Sequence, residues 1–170
     1  GFDAAVSQKF ANEKRRGSLT YIKNTIEEYL SYKPEPYELV VDNQTIKEKA
    51  FLVACANASQ YGNNAFIAPH ANIQDGRMDV TILSPFMPLD IAPLAIQLFT
   101  KQIDRNSKIK TMKAQQVTII RQHPGVMHVD GEPIMADRRI DITVEPKALH
   151  VLTPEVVSFT KEVHNLFDEV

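Results

Sequence analysis

Two carboxylates flank a glycine in the segment His128-Val129-Asp130-Gly131-Glu132-Pro133. An Asp-Gly pair between alternating residues is typical of a two-residue hairpin turn, whose two central positions both need a positive φ. Pro133 argues against a turn, because proline cannot donate a backbone hydrogen bond where the returning strand begins. If the segment is instead extended, both acids reach one face, where one could accept a proton and the other steer it. Spacing alone favours the turn.

A second acidic turn, Asp75-Gly76, lies in the long polar stretch from Asn57 to Arg77, and Asp79 follows it. A loop of this length inside a compact domain is usually functional. Oxygen-rich turns can hold Mg²⁺ through one carboxylate, backbone carbonyls and water molecules. Taken alone, however, Asp75-Gly76 is more typical of a polar turn before a strand.

Residue spacing excludes several other kinds of site. The five histidines show no His-x-x-x-His or Cys-His spacing, which argues against zinc. Cys55 lies in an apolar run without a polar neighbour, and no serine occurs in Gly-x-Ser-x-Gly, so nucleophilic catalysis is not supported. The six glycines form neither Gly-x-Gly-x-x-Gly nor a Walker-type loop, so the chain has no phosphate-binding loop of a known kind.

Composition is typical of a globular protein of one domain. The chain has 170 residues, of which 44% are apolar and 24% charged. The net charge of -2 argues against a nucleic-acid partner. The longest apolar run, Ala50 to Ala56, has seven residues, whereas a membrane-spanning helix needs about 20. With one cysteine and no secretory leader, we expect a reducing cytosol.

Periodicity predicts the elements that must position these turns. Helices are predicted at Leu19–Leu30, Asp90–Ile103 and Pro154–Phe167. Many short strands with few helices predict a mainly β, α+β fold, namely an antiparallel β-sandwich-like domain with flanking helices. Tyr37–Asp42 and Ala50–Ala56 are expected to pair, with a turn at Asn43-Gln44. The predicted strands are Phe2–Val6, Tyr37–Asp42, Ala50–Ala56, Met78–Leu83, Val117–Arg121, Val126–Asp130, Ile140–Val144 and, as a shorter candidate, Ala148–Leu152.

Five motifs follow one another along the chain, and together they resemble a known family. Their order resembles the C-terminal part of the diacylglycerol kinase-like lipid kinases, which include bacterial diacylglycerol kinases and sphingosine kinases. The resemblance spans nearly the whole chain and reverses the preference for a simple turn at Asp130. The motifs are Gly1-Phe2-Asp3-Ala4, then Asn57 with Tyr61-Gly62, then Ile67-Ala68-Pro69-His70-Ala71, then Asp75-Gly76-Arg77-Met78-Asp79-Val80, and finally Asp130-Gly131-Glu132-Pro133.

The resemblance implies a two-domain enzyme with the lipid kinase and NAD kinase-like fold. In that family an N-terminal α/β domain with a Gly-Gly-Asp-Gly-Thr motif binds the nucleotide, and a C-terminal β-sandwich domain closes the cleft. Residues 1–170 would then be the C-terminal domain, with the nucleotide-binding domain absent from the chain. A start at Gly1 without methionine agrees with this expectation. We expect the chain alone to be inactive.

The resemblance also implies roles for individual residues. Asp130 and Glu132 correspond to the acidic pair that activates the lipid hydroxyl, and which of them takes the proton stays open. Asp75 corresponds to a carboxylate of a Mg²⁺ site, with the backbone carbonyls of Asn72 and Arg77 as its companions. The implied reaction transfers the γ-phosphoryl group of ATP to a lipid alcohol, with ATP and Mg²⁺ as cofactors.

The implied partners are a membrane lipid and, through the missing domain, a nucleotide. We expect a cytoplasmic protein that is peripheral at the membrane surface and binds no nucleic acid. The acceptor lipid stays open among diacylglycerol, a sphingoid base and other lipid alcohols. Whether the protein forms a homodimer also stays open. Two alternatives remain: a soluble-substrate kinase of the NAD kinase type, and a non-catalytic β-sandwich module for binding or oligomerisation.

One departure from the family lies at Tyr61-Gly62-Asn63-Asn64, where many members have a glycine run after the tyrosine. Asparagine tolerates left-handed backbone geometry, so the loop is expected to keep its shape. Whether the loop keeps the family's substrate role stays open.

Overall fold

The computed structural model of the protein describes residues 1–11, 29 and 31–152. In this part of the chain the strands form three sheets. The helices are α1 (Phe2–Ala11) and α2 (Ile91–Phe99), with 3₁₀ turns at Pro88–Asp90 and Ile103–Arg105. The strands are β1 (Glu35–Val41), β2 (Gln44–Ala50), β3 (Leu52–Ala56), β4 (Met78–Leu83), β5 (Ile109–Ala114), β6 (Gln116–Arg121), β7 (Gly125–Val129), β8 (Glu132–Ala136) and β9 (Arg139–Thr143).

Two of the sheets contribute to one shared core. One has the strand order β2-β1-β6-β9 and the other the order β3-β4-β5, and the paired strands are antiparallel. Apolar side chains of both sheets meet in one buried cluster, in which Leu39 of β1 and Val80 of β4 are 0% exposed. Burying such a side chain stabilises the fold by about 2 kcal/mol. The predicted β-sandwich-like α+β fold is confirmed.

Strand β4 is buried on both faces. All six of its residues are buried, because one face joins the shared core while the preceding loop and α2 cover the other. Its polar residues have partners within the protein. For example, the Thr81 hydroxyl donates to the carbonyl of Ile67 at 3.0 Å, so its burial costs little.

The predicted pairing of Tyr37–Asp42 with Ala50–Ala56 is wrong. β1 pairs with β2, which was not predicted, while β3 pairs with β4 in the other sheet. β2 lies at the edge of its sheet and contains the charged run Lys47-Glu48-Lys49. Charged residues suit an edge strand but hide its hydrophobic period. The connecting turn lies at Asp42-Asn43, one residue earlier than predicted.

The segment Phe2–Val6 is helical and not the predicted strand. α1 begins at Phe2 and continues to Ala11, into the polar stretch. An apolar segment of this length is too short for its period to distinguish a helix from a strand. Asp3 lies in the first turn, where a helix favours negative charge.

The predicted helix at Asp90–Ile103 is confirmed in its first part. α2 ends at Phe99, and Lys101 then takes a left-handed φ of 60°, which turns the chain before the next 3₁₀ turn. The predicted helix at Leu19–Leu30, apart from Tyr29, and the one at Pro154–Phe167 lie outside the described residues.

The other strand predictions had mixed outcomes. Met78–Leu83 is confirmed, and the strands near residues 117–121, 126–130 and 140–144 are confirmed to within one residue at each end. Ala148–Leu152 is wrong, since residues 148–152 are irregular. β5 and β8 were not predicted. β5 carries exposed lysines, and β8 opens with Glu132-Pro133, which does not resemble a strand.

Candidate active site

Asp130 and Gly131 form the tip of a two-stranded hairpin made by β7 and β8. Their φ angles are 49° and 89°, and Val129 pairs with Glu132 directly beside the tip. This is the two-residue turn that needs positive φ at both positions. The turn is therefore confirmed and the extended alternative is wrong. The turn still places both acids, Asp130 and Glu132, at the same end of the hairpin.

Both acidic side chains are open to solvent. Asp130 and Glu132 are exposed, and among the described residues neither carboxylate has a hydrogen-bond or ion-pair partner. An unpaired carboxylate keeps its lone pairs available. Either acid could therefore accept a proton from a hydroxyl group brought to the turn.

The tip of the hairpin is fastened to α1 through His128. Nε2 of His128 lies 3.1 Å from Oδ2 of Asp3, and Nδ1 accepts the backbone N–H of Gly131 at 3.3 Å. The Tyr61 hydroxyl donates to the same Asp3 oxygen at 3.0 Å. Oδ1 of Asp3 accepts the N–H of Ala4 at 2.9 Å. The carboxylate of Asp3 is thus satisfied on both oxygens.

Burial and charge oppose each other at the contact of Asp3 with His128. Burial raises the pKa of Asp3, but the hydrogen bond from His128 and nearby positive charge outweigh it and hold that pKa below its usual value. The same hydrogen bond raises the pKa of His128 above its usual value, against the effect of burial. The His128 and Asp3 side chains are only 16% and 18% exposed, so solvent screens their attraction weakly.

The loop that carries Tyr61 has the left-handed backbone geometry that its asparagines tolerate. Asn63 and Asn64 are left-handed, with φ of 48° and 61°, as expected for asparagine in place of glycine. The loop closes through the N–H of Tyr61, which donates to the carbonyl of Ala65 at 2.9 Å. The two asparagines therefore help to place the hydroxyl that contacts Asp3.

Arg121 holds the other end of the hairpin. Its side chain lies at the end of β6 and the residue is 7% exposed. Nη2 donates to the carbonyls of Gly125 at 2.7 Å and Ala136 at 2.6 Å, and Nε donates to the carbonyl of Asp137 at 3.1 Å. These charge-assisted bonds join the base of the hairpin to the four-stranded sheet.

Asp75, Asn72 and Arg77 lie together in the turn before β4. The carbonyl of Asn72 accepts the N–H of Asp75 at 3.3 Å, and Oδ1 of Asp75 accepts the N–H of Arg77 at 2.9 Å. Gly76 has a φ of 68°, which glycine adopts without strain. Among the described residues, no hydrogen bond or ion pair joins this turn to the hairpin tip.

Lys113 of β5 faces this turn. Its ammonium donates to Oδ2 of Asp75 at 2.8 Å, to Oδ2 of Asp79 at 3.1 Å and to the carbonyl of His70 at 3.3 Å. The hydrogen bond from Lys113 lowers the pKa of Asp75, and the bond to Asp75 raises the pKa of Lys113. Three oxygens therefore converge on one cation.

The oxygen atoms of the turn suit Mg²⁺ in their chemistry. Carboxylate and carbonyl oxygens are its usual protein ligands, completed by water, so Asp75 with the carbonyls of Asn72 and Arg77 fits as a donor set. Within residues 1–11, 29 and 31–152, no group of three His, Cys, Asp or Glu side chains is placed to hold a metal ion. Lys113 would share Asp75 with a bound ion.

Sequence reasoning missed the residues that support the acidic turn. His128 and Asp3 are separated by 125 positions, so no local spacing announces their contact. Arg121 is the last residue of a strand that was predicted from its alternation. A charged residue at the end of a strand does not by itself indicate a supporting role. The available signal was the motif Gly1-Phe2-Asp3-Ala4, to which the resemblance assigned no role.

Comparisons with known proteins agree with the fold. A family model described as the YegS C-terminal NAD kinase beta sandwich-like domain matches residues 1–153. A diacylglycerol kinase of Mycobacterium tuberculosis (strain ATCC 25618 / H37Rv) is 28% identical over 161 residues, covering 91% of this chain and 50% of that protein. A Shewanella frigidimarina protein named "Probable lipid kinase YegS-like" is 26% identical over 156 residues, with the same coverage of 91% and 50%. The chain spans about half the length of the curated relatives it matches.

A solved structure shows the same architecture. The crystal structure of a Bacillus anthracis (strain Sterne) protein described as a candidate diacylglycerol kinase superposes with a TM-score of 0.54 at 17% identity, over 82% of this chain and 50% of the other. At this identity the likeness establishes the fold alone.

Proposed function

Because the chain belongs to the family of YegS C-terminal NAD kinase beta sandwich-like domains, we propose that it is the C-terminal half of an ATP-dependent lipid kinase. Its matched relatives are named a diacylglycerol kinase and a lipid kinase. The observation that carries the proposal is the β7–β8 turn, on which Asp130 and Glu132 stand exposed and unpaired among the described residues. Phosphoryl transfer to a hydroxyl depends on positioning and on a group that takes the hydroxyl proton.

The acidic turn supplies the proton acceptor. In the proposed reaction the lipid hydroxyl oxygen bonds to the γ-phosphorus of ATP, the bond from that phosphorus to the bridging oxygen breaks, and ADP leaves. One of Asp130 and Glu132 takes the hydroxyl proton, and the other orients the hydroxyl or relays the proton. A carboxylate suffices as the proton acceptor, because the proton moves only as the oxygen–phosphorus bond forms.

The Asp75 turn is the proposed metal-binding part of the domain. A bound Mg²⁺ ion would neutralise phosphate charge during transfer. Asp75 would hold the ion with the carbonyls of Asn72 and Arg77, and the ammonium of Lys113, which donates to Oδ2 of Asp75 at 2.8 Å, would have to share that carboxylate with it.

Nucleotide binding is assigned to a domain outside this chain. The six glycines form no phosphate-binding loop, and the chain covers half of the length of its curated relatives. We therefore expect the 170-residue chain by itself to transfer no phosphate.

A lipid acceptor requires contact with a bilayer, and α2 with its preceding turn offers a suitable surface. Between Leu83 and Lys101 the only charged residue is Asp90, whose carboxylate accepts the N–H of Met87 at 2.8 Å. No helix in the described residues is long and apolar enough to cross a membrane. An exposed apolar patch of this kind suits peripheral attachment. We call it the apolar surface; its large members are Met87, Leu89, Ile96 and Phe99, which are 68%, 88%, 63% and 56% exposed.

The NAD kinase-like description of the matched family favours one alternative, a kinase with a soluble dinucleotide acceptor. The test is phosphate transfer from ATP with Mg²⁺ by the full-length protein, with NAD and with vesicles containing diacylglycerol or a sphingoid base in parallel. Phosphorylation of a vesicle lipid is expected. Phosphorylation of NAD alone, or of no acceptor, would overturn the proposal.

A further inference from the structure

His128 uses both of its ring nitrogens. Nδ1 accepts the N–H of Gly131 at 3.3 Å, and a backbone N–H can only donate, so Nδ1 must carry a lone pair. The neutral ring then has its proton on Nε2, which lies 3.1 Å from the carboxylate of Asp3. The two contacts therefore select one tautomer and one ring orientation.

The position of the Asp3 carboxylate is itself fixed by hydrogen bonds. Its two oxygens accept bonds from Ala4 of the helix and from the Tyr61 hydroxyl, in addition to the bond with His128. α1 packs against both β7 and β8, so the helix and the hairpin are already in contact. The dyad of Asp3 and His128 thus joins the tip of the hairpin to a half-buried helix N-terminus.

The bond to Gly131 acts on the peptide that joins Asp130 to Gly131. The direction of its N–H sets the plane of that peptide, and with it the direction in which the Asp130 side chain leaves the backbone. Without this bond, the tip would depend on pairing within a two-stranded ribbon, which is marginal by itself, on packing against α1 and on Arg121 at the far end.

We propose that Asp3 and His128 form a positioning dyad that holds the Asp130-Gly131-Glu132 turn in its working orientation. The inference rests on the proposed lipid kinase function, since it concerns how the acidic pair is placed for that reaction. Neither dyad residue is required to touch the substrate. Displacement of a catalytic group by about 1 Å can reduce a rate by about 10²-fold, so the dyad should affect kcat more than KM.

The first test compares His128 variants of the full-length protein in steady-state lipid phosphorylation. His128→Asn keeps an acceptor near the position of Nδ1, His128→Gln keeps a donor near that of Nε2, and His128→Leu keeps neither. We expect His128→Leu to lower kcat by about 10- to 100-fold with KM for ATP and lipid nearly unchanged, and His128→Asn to recover part of the loss. His123→Leu, at an exposed histidine beyond the dyad, should retain the wild-type kcat.

The second test asks whether the two residues act as one unit. Asp3→Ala should lower kcat. The double variant with His128→Leu should lower kcat no further than the single variants do, because each single variant already breaks the same contact. Fully additive losses would overturn the dyad, and so would an unchanged kcat in His128→Leu. An inactive wild-type protein would instead refute the proposed function.

The third test is independent of activity. In the 170-residue chain, ¹⁵N NMR of neutral His128 should show an unprotonated Nδ1, and the Gly131 amide should exchange more slowly with solvent than in His128→Leu. A proton on Nδ1 of the neutral ring, or equal exchange of the Gly131 amide in the two proteins, would overturn the inference.

Discussion

His128 and Pro133 face each other across the β7–β8 hairpin as a pair that exchanges no backbone hydrogen bonds. Val129 and Glu132 flank the two-residue turn and form the hydrogen-bonded pair, and the two kinds of pair alternate along antiparallel strands. Pro133 therefore removes no bond to β7. Among the described residues, β8 has no strand on its other side. Proline is thus compatible with the tight turn that carries the two acids.

The turn itself should depend on Gly131. Its φ of 89° is rarely adopted by other residues, yet an added Cβ would meet no atom within 4 Å. Gly131→Ala should therefore introduce backbone strain without a clash and lower the free energy of unfolding by about 1–2 kcal/mol, as measured by urea denaturation. Gly125→Ala is the control, since its added Cβ would make only ordinary contact with Arg121. An equal loss in the two variants would contradict this view of the turn.

Arg121 should matter for stability because its removal leaves several carbonyls without a donor. We expect Arg121→Met to lower the free energy of unfolding by about 2–4 kcal/mol. Arg139→Met is the matched control, since Arg139 forms an exposed ion pair with Asp141 at 2.9 Å, and this variant should unfold at nearly the wild-type urea concentration. If the two variants unfold at the same urea concentration, Arg121 does not hold the hairpin.

The contact of Asp3 with His128 should make stability depend on pH. The pKa of Asp3 is lowered in the folded state, so its contribution is present above its unfolded value of about 3.9 and is lost as the pH falls. The pKa of His128 is raised, so its contribution is complete below about 6.5 and is lost as the pH rises through the folded value. The contact should therefore stabilise most between about pH 4 and 6.5.

His128→Asn tests this pH dependence, since asparagine does not titrate. The free energy of unfolding should be higher for the wild-type protein than for the variant. The difference between the two should be larger at pH 5.5 than at pH 8.5. The other groups that face His128 are the Tyr61 hydroxyl and Asp130, and the variant retains both. A difference between the two proteins that does not change with pH would contradict the prediction.

The apolar surface should govern binding to membranes. Leu89→Ser and Ile96→Ser each remove an exposed apolar side chain, so we expect binding of the full-length protein to phosphatidylglycerol vesicles to weaken about 10-fold in each, measured by co-sedimentation. Leu149→Ser is the control, because Leu149 is 81% exposed but lies outside the surface. Equal weakening in the control, or none in the two variants, would exclude this surface.

The sequence predicted strands best where burial is regular. Alternation identified β4, β6 and β9, although all six residues of β4 are buried. The edge strand β2 escaped prediction, since Glu48 occupies a half-buried position of its alternation and breaks the hydrophobic period. α1 was mistaken for a strand because an apolar segment of five residues fits either period.

In the candidate site, too, local features could be predicted from the sequence and long-range contacts could not. The acidic pair at Asp130 and Glu132 could be proposed from a local motif, and its hairpin turn from Asp-Gly. The supporting contacts could not be proposed, because Asp3 meets His128 only after the chain has folded over 125 positions. Long-range contacts between side chains leave no period or spacing that a single sequence displays.

The most direct test of the central claim is kcat for lipid phosphorylation by the full-length protein with Asp130→Asn or Glu132→Gln. Both changes keep the side-chain size and remove the proton acceptor, and asparagine tolerates the φ of 49° at the turn. Two controls are Asp42→Asn, at a turn with the same φ of 49°, and Glu38→Gln, at an exposed ion pair with Lys47. We expect at least one of the two variants to lower kcat by about 10²- to 10⁴-fold, with stability unchanged and both controls active. Wild-type kcat in both variants would contradict a catalytic role for the turn and favour a non-catalytic binding module.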